Sequence, residues 1–216
     1  MRGSRMEAPD TTLQLLDSCL RSGRHCIGQI LLGTDYTLRH VADEGLDDLV
    51  VHTSPADARV IARYDEGGNF RPLKTAPNLK RGWLLDAGSL EGMELALEFF
   101  YPAALGMWLS HLRGKLHRTA LRETLNRQTG MYRITQLLRD DQASELVARC
   151  CTSEGGCLRT ILWDLAPGHP ITSLPASKLS LEDLPSNRIP LLCRELCNLV
   201  VAAARPIAKG NLPKKE

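Results

Sequence analysis

Five cysteines set in two tight groups, at either end of a proline-rich stretch, constrain this chain more than any other feature. Cys150 and Cys151 end a helical segment, Ser153-Glu154-Gly155-Gly156 makes a tight turn, and Cys157 follows. The second group is Cys193-Arg-Glu-Leu-Cys197. Pro167, Pro170, Pro175, Pro185 and Pro190 lie between them with little periodicity, which predicts a loop over 166–190. Pro190 suits the first turn of a final helix over 191–204. On that helix Cys193 and Cys197, four residues apart, are expected on one face with both sulfurs presented to one ion. Cys193 in its first turn is expected to ionise readily, because the dipole and the free N–H groups favour a thiolate. A loop pair and a helix pair make four thiolates, the usual complement of a cubane iron–sulfur cluster or a structural zinc.

Spacing alone leaves both metals open. Structural zinc usually pairs cysteines at C-x2-4-C, and the C-x5-C or C-x6-C of the first group is wider. A cubane sits in a larger apolar pocket and tolerates irregular spacing, and Leu158, Ile161, Leu162, Trp163, Leu191, Leu192 and Leu196 supply apolar neighbours. A [4Fe–4S]2+ core on four thiolates carries a net charge of about −2, which Arg149, Arg159 and Arg194 are placed to offset. The competing reading is that the cysteines are ordinary core residues. Cys19 and Cys26, remote from the rest, are read that way. His169 is an outside candidate ligand.

The rest of the chain predicts an α+β protein: a small antiparallel sheet in the N-terminal half, then a mainly helical part carrying the cysteines. Residues 10–22 read as a helix capped by Asp10 or Thr11 and ended by Gly23. Ile27 to Leu32 and Thr37 to Val41 read as one hairpin, and Ala58 to Tyr64 with Phe70 to Lys74 as a second around Gly67-Gly68. Gly82 to Leu85 reads as one more strand. Leu90 to Leu116 is a long periodic segment expected to kink at Pro102. Thr119 to Arg127, Met131 to Arg139 and Gln142 to Cys151 read as short helices, and the Lys/Pro-rich tail after Arg205 as disordered. The expected division is 1–24 N-terminal helix, 25–116 α+β domain, 117–208 helical cluster-binding domain and 209–216 tail.

Composition narrows the function classes. A net charge of +2 carries no global nucleic-acid signature, and no aromatic platform adjoins the basic residues. The most apolar run, 93–109, is interrupted by Glu94, Glu98 and Pro102, so no membrane span is expected. Met1 to Arg5 reads as a vector remnant ahead of Met6, without the apolar core of an export signal. A cytoplasmic address follows as the expectation. Cysteines are reduced there, which again favours metal ligation over disulfides.

The run Leu125-Asn-Arg-Gln-Thr-Gly-Met-Tyr-Arg-Ile134, then Cys151…Gly156-Cys157-Leu-Arg…Leu162-Trp163, then Ile189-Pro-Leu-Leu-Cys193…Cys197-Asn198, resembles a [4Fe–4S]-binding domain. That domain is known from the C-terminal part of proteins with a CbiX-type sirohydrochlorin chelatase domain. A small stabilising domain accompanies it there, and residues 25–115 resemble that. The resemblance implies a cluster held by one of Cys150 and Cys151 with Cys157, Cys193 and Cys197. Cys151 is favoured because C-x5-C leaves the shorter turn. It also implies electron transfer or an accessory role in tetrapyrrole (cobalamin or sirohaem) biosynthesis, with a redox partner or a chelatase of that type. The chelatase domain itself has no counterpart here, so its activity does not carry over and enzymatic status stays open.

Two other readings remain open: a non-redox interaction module with structural zinc, or an iron–sulfur enzyme in which three cysteines bind and one iron faces substrate. Between Arg113 and Arg139 lies a basic stretch that reads either as solvated helix faces or as an anion site on Arg122, Arg127 and Arg133. Arginine forks suit the carboxylates of a tetrapyrrole ligand, and Gly130 reads as a helix break beside them.

Overall fold

The computed structural model describes residues 9–23, 25–152, 156–165 and 180–210. Its helices are α1 (Thr12–Arg21), α2 (Ala58–Ile61), α3 (Leu90–Phe100), α4 (Ala104–Leu112), α5 (Leu121–Asn126), α6 (Asp140–Cys150) and α7 (Asn198–Gly210). Its strands are β1 (Cys26–Ile27), β2 (Ile30–Leu32), β3 (Thr37–His40), β4 (Val50–His52), β5 (Trp83–Asp86), β6 (Thr119–Ala120), β7 (Thr160–Ile161), β8 (Trp163–Asp164), β9 (Arg188–Ile189) and β10 (Leu192–Cys193). The α+β class holds. Two compact units share the chain. The first is built from the residues up to Lys74, Asn78–His117 and Pro185–Leu191, and the second from Thr75–Pro77, Arg118–Leu184 and Leu192 onward.

In the first unit, Thr11 caps α1 by accepting from the Gln14 N–H at 3.2 Å, and the helix buries Leu15, Leu16, Cys19 and Leu20 on one face. Among the described residues one sheet runs in the order β4-β5-β3-β2-β1-β9. Its centre is antiparallel as expected, but β4 on β5 and β9 on β1 pair in parallel. Parallel partners return through long connections rather than tight turns, so no local signal announces them. Cys19 and Cys26 are buried in this unit and serve as core residues.

The β1–β2 turn depends on Gly28. Its φ of +57° is in the left-handed region, and a Cβ there would meet the Tyr101 ring at 2.4 Å. That approach lets the Gln29 N–H donate to the Tyr101 Oη at 2.8 Å. Burial pushes the Tyr101 phenol up to about 12.

Two local expectations are corrected. The long segment after Leu90 is not one kinked helix but α3 and α4, separated where Tyr101 is extended and Ala103 has φ +60°. Pro102 has no N–H and forces its predecessor out of helical geometry, which is enough to break the helix. The second hairpin is also absent among the described residues. Ser54, Pro55 and Asp57 start a helical turn that runs into α2, and a single bridge, Tyr64 to Phe70, remains. It closes a turn in which the Asp65 carboxylate accepts from the Asn69 N–H at 2.7 Å.

In the second unit, α5, a 3-10 helix over Gly130–Leu137, α6 and α7 enclose a core that includes Leu125, Leu146, Val147, Trp163, Val200, Val201, Cys150, Cys151 and Cys193, with Cys197 packed against it. Helix α7 runs to Gly210, beyond the point at which the tail was expected to begin. Its burial of Val200, Val201, Ala204 and Ala208 at helical spacing explains why. Residues 166–179 and 211–216, which hold most of the expected loop, His169 and the tail's end, lie outside the described residues. No helix among the described residues is long and apolar enough to cross a membrane.

Candidate metal centre

Helix α6 delivers the first cysteines. Its apolar face (Ala143, Leu146, Val147, Cys150) packs inward, and Cys151 is the C-cap, its N–H donating to the Val147 carbonyl at 2.9 Å. Residues 153–155, most of the expected tight turn, lie outside the described residues. The N–H groups of Gly156 and Cys157 both donate to the Thr152 carbonyl, at 3.1 and 3.2 Å. A Cβ on Gly156 would stand 2.9 Å from the Cys150 carbonyl oxygen, so this turn closes onto the helix end only because position 156 has no side chain.

The second group arrives by a route the periodicity does not predict. Leu192 and Cys193 form β10, which pairs in parallel with β7, Cys193 opposite Ile161. Cys193 is therefore on a strand, and Cys197 lies just ahead of α7, its carbonyl accepting from the Val201 N–H at 3.1 Å. The expected helix over 191–204, with both thiols on one face, is corrected. A short buried apolar run such as Leu191-Leu192-Cys193 fits a strand as well as a helix, and the partner strand decides. The Trp163 indole N–H donates to the Arg194 carbonyl at 3.0 Å and steadies the link between the two cysteines.

The thiols meet in a largely apolar setting. Cys150, Cys151, Cys157 and Cys193 are buried and Cys197 is half-buried. Burial, then the proximity of Cys193, Cys157, Cys197 and Cys150, pushes the Cys151 thiol far above its ordinary value. Cys150 is raised by burial too, with Cys197 adding to the shift and Arg149 opposing it. Burial also pushes Cys193 up to about 11, against the attraction and hydrogen bond of Arg159. The readily ionised Cys193 expected at a helix start is corrected, because the residue is on a buried strand without that dipole. Its Sγ donates to the Glu195 carbonyl at 3.5 Å.

Arg159 is thus the cation aimed at a thiol of the set; Arg149 addresses Cys150, and Arg194 lies 3.7 Å from Glu195. Sequence reasoning missed Thr75. Its hydroxyl lies 3.2 Å from the Cys157 Sγ, and its carbonyl accepts from the Leu158 N–H at 2.8 Å. Nothing in Lys74-Thr75-Ala76-Pro77 signals this, because the contact spans a long stretch of chain. Among the described residues no three His, Cys, Asp or Glu side chains converge on a single-ion position.

The arginines of the basic stretch do not share one site. Arg122 donates to Asp140 at 2.7 Å and to the Leu138 carbonyl at 2.6 Å. It borders a cavity of about 310 Å³ that Asp140 and Asp164 also line. Arg127 donates to Glu195 at 2.8 Å. Arg133 is exposed on the 3-10 helix that begins at Gly130.

Buried sulfur donors beside a guanidinium are the donor type that an iron–sulfur cluster takes. Residues 113–206 match the family model of a 4Fe-4S iron-sulfur cluster binding domain, and residues 14–112 match that of the DR2241 stabilising domain. The chain is a member of that family pairing, a stabilising domain followed by an iron–sulfur cluster-binding domain.

Among solved structures it is similar to DR2241 from Deinococcus radiodurans, described as a multi-domain protein with structural similarity to chelatases and two additional novel domains. The identity is 31% and the TM-score 0.67, over 93% of this chain and 42% of that one. The chain therefore spans less than half the length of that relative. No curated protein matches the sequence.

Proposed function

We propose that the chain holds a [4Fe–4S] cluster on Cys151, Cys157, Cys193 and Cys197 and serves as an electron-transfer unit in the cytoplasm. In this reading it works beside a chelatase-type partner in tetrapyrrole (cobalamin or sirohaem) biosynthesis. The observation that carries the ligand set is the central place of Cys151, within electrostatic reach of the other three thiols. Cys150 is left out because C-x5-C from Cys151 leaves the shorter turn to Cys157.

When bound, such a cluster supplies redox chemistry that no side chain can. The protein's own residues do the rest. Burial favours the protonated thiols of Cys151 and Cys193, so ligation has to take their protons off, and Arg159 offsets part of the negative charge that results. Leu146, Ile161, Trp163 and Val200 keep water from the sulfurs. The half-buried Cys197 is the ligand nearest solvent and the natural side for electrons to arrive. Four thiolates occupy all four irons, which disfavours an open iron for substrate. The chelatase similarity of DR2241 supports the tetrapyrrole setting.

Anaerobic purification tests the reading. The protein should be brown, hold about four irons per chain, and bleach on reduction with dithionite. A colourless protein with one zinc would overturn it in favour of a structural metal. Titration with sirohydrochlorin tests the setting, and the absence of any saturable spectral change would remove a tetrapyrrole ligand.

A further inference from the structure

Thr75 belongs by sequence to the stretch that matches the stabilising domain, yet with Ala76 and Pro77 it packs as part of the cluster-binding unit. It is 2% exposed. We infer that Thr75 is a positioning residue for the redox centre: its hydroxyl donates a hydrogen bond to the Cys157 sulfur and raises the cluster's reduction potential. The inference rests on the cluster reading above, with Cys157 as a ligand.

Direction follows from chemistry. Between a hydroxyl and a thiol 3.2 Å apart either atom can donate. A ligated sulfur has no proton, so only the Thr75 hydroxyl can, and an anionic acceptor strengthens the bond. The Cys193 contact behaves in the opposite way. Its Sγ donates to the Glu195 carbonyl, and that bond disappears when the proton leaves. Ligation therefore keeps and tightens the Thr75 bond while it removes the other.

The bond is also held in place. The Thr75 carbonyl accepts from the Leu158 N–H at 2.8 Å, which ties the strap Thr75–Pro77 to the residue after Cys157. The buried Arg71 guanidinium donates to the Lys74 carbonyl at 2.8 Å and to Asn78 Oδ1 at 3.0 Å, and so pins the residues flanking the strap. A β-branched side chain has few rotamers in which to lose the contact. Hydrogen bonds to cluster sulfurs withdraw negative charge and favour the reduced, more negative state.

The test is potentiometry on anaerobic protein with iron counted in each variant. Thr75→Val keeps the shape and removes the donor. It should make reduction about tenfold less favourable, a fall of about 59 mV for a one-electron couple. Thr75→Ser should stay close to wild type. An unchanged potential in Thr75→Val with full iron would overturn the inference while leaving the cluster reading intact. If Thr75→Val loses its iron, Thr75→Ala against Thr75→Ser decides by the same shift. Iron loss from all three would make the residue merely structural and also overturn it. A wild-type protein without iron overturns the cluster reading and this inference together.

Discussion

The backbone N–H of Leu162 donates to the Cys193 carbonyl at 2.8 Å, and this bond joins the two cysteine groups across a short parallel ladder. Trp163 extends the link through its indole bond to the Arg194 carbonyl. Trp163→Phe removes that bond, and the Arg194 carbonyl keeps only the longer one from Arg127 at 3.3 Å. The change should cost about 0.5–1.5 kcal/mol in chemical denaturation and speed cluster loss to a chelator. Equal rates of loss would show that the indole bond does not hold the centre together.

The adjacent cysteines should separate cleanly. Cys151→Ser removes the thiol that senses the other four and should strip most of the iron. Cys150→Ser should keep iron and visible absorption close to wild type. Iron analysis and spectra of the two variants read the outcome, and the reverse pattern would exchange their roles.

Gly156 offers a test at the turn. Gly156→Ala drives a methyl toward the Cys150 carbonyl oxygen and has to reopen the closure that brings Cys157 back to the helix end. A stability loss of about 1–3 kcal/mol and a lower iron content are expected. An unaffected iron count would mean that Cys157 reaches the centre without that close approach.

The pH dependence of the metal-free fold follows from Cys193 and Tyr101. Their folded values are raised, from 9.0 to about 11 and from 10.0 to about 12. A raised value means that the folded state holds its proton more tightly. The associated stability is fully present below about pH 9 and is lost as pH rises toward about 12. Denaturation of the metal-free protein should show a flat midpoint from pH 7 to about 9 and a falling one above it. Metal loading should move the other way and weaken as pH falls, since protons compete for the sulfurs.

Much of the architecture was legible in local pattern. The Thr11 cap and the leucine stripe of α1, the β2–β3 hairpin, β5 and α6 follow from periodicity and turn residues, and so does the α+β class. The family pairing was legible as well, through the Cys151–Gly156–Cys157 and Cys193–Cys197 patterns and their flanking residues. Two of the failures share one cause. Residues 191–193 and 58–61 are short apolar or mixed runs whose period fits strand and helix alike. For the first a distant ladder partner decided the outcome, and for the second a preceding proline turn did.

The sequence by itself determined that the sulfur donors come in two groups, at the end of a helix and after the proline-rich stretch. Spacing, turn residues and composition are local properties, and a chain displays them unfolded. Only the tertiary structure decided how the groups meet. It placed Cys193 on a strand beside Ile161 and separated the environments of Cys150 and Cys151. It also brought Thr75 to within 3.2 Å of the Cys157 sulfur. Those contacts join residues far apart in the chain. Their strength comes from burial and from a ladder that exists only once both partners are folded.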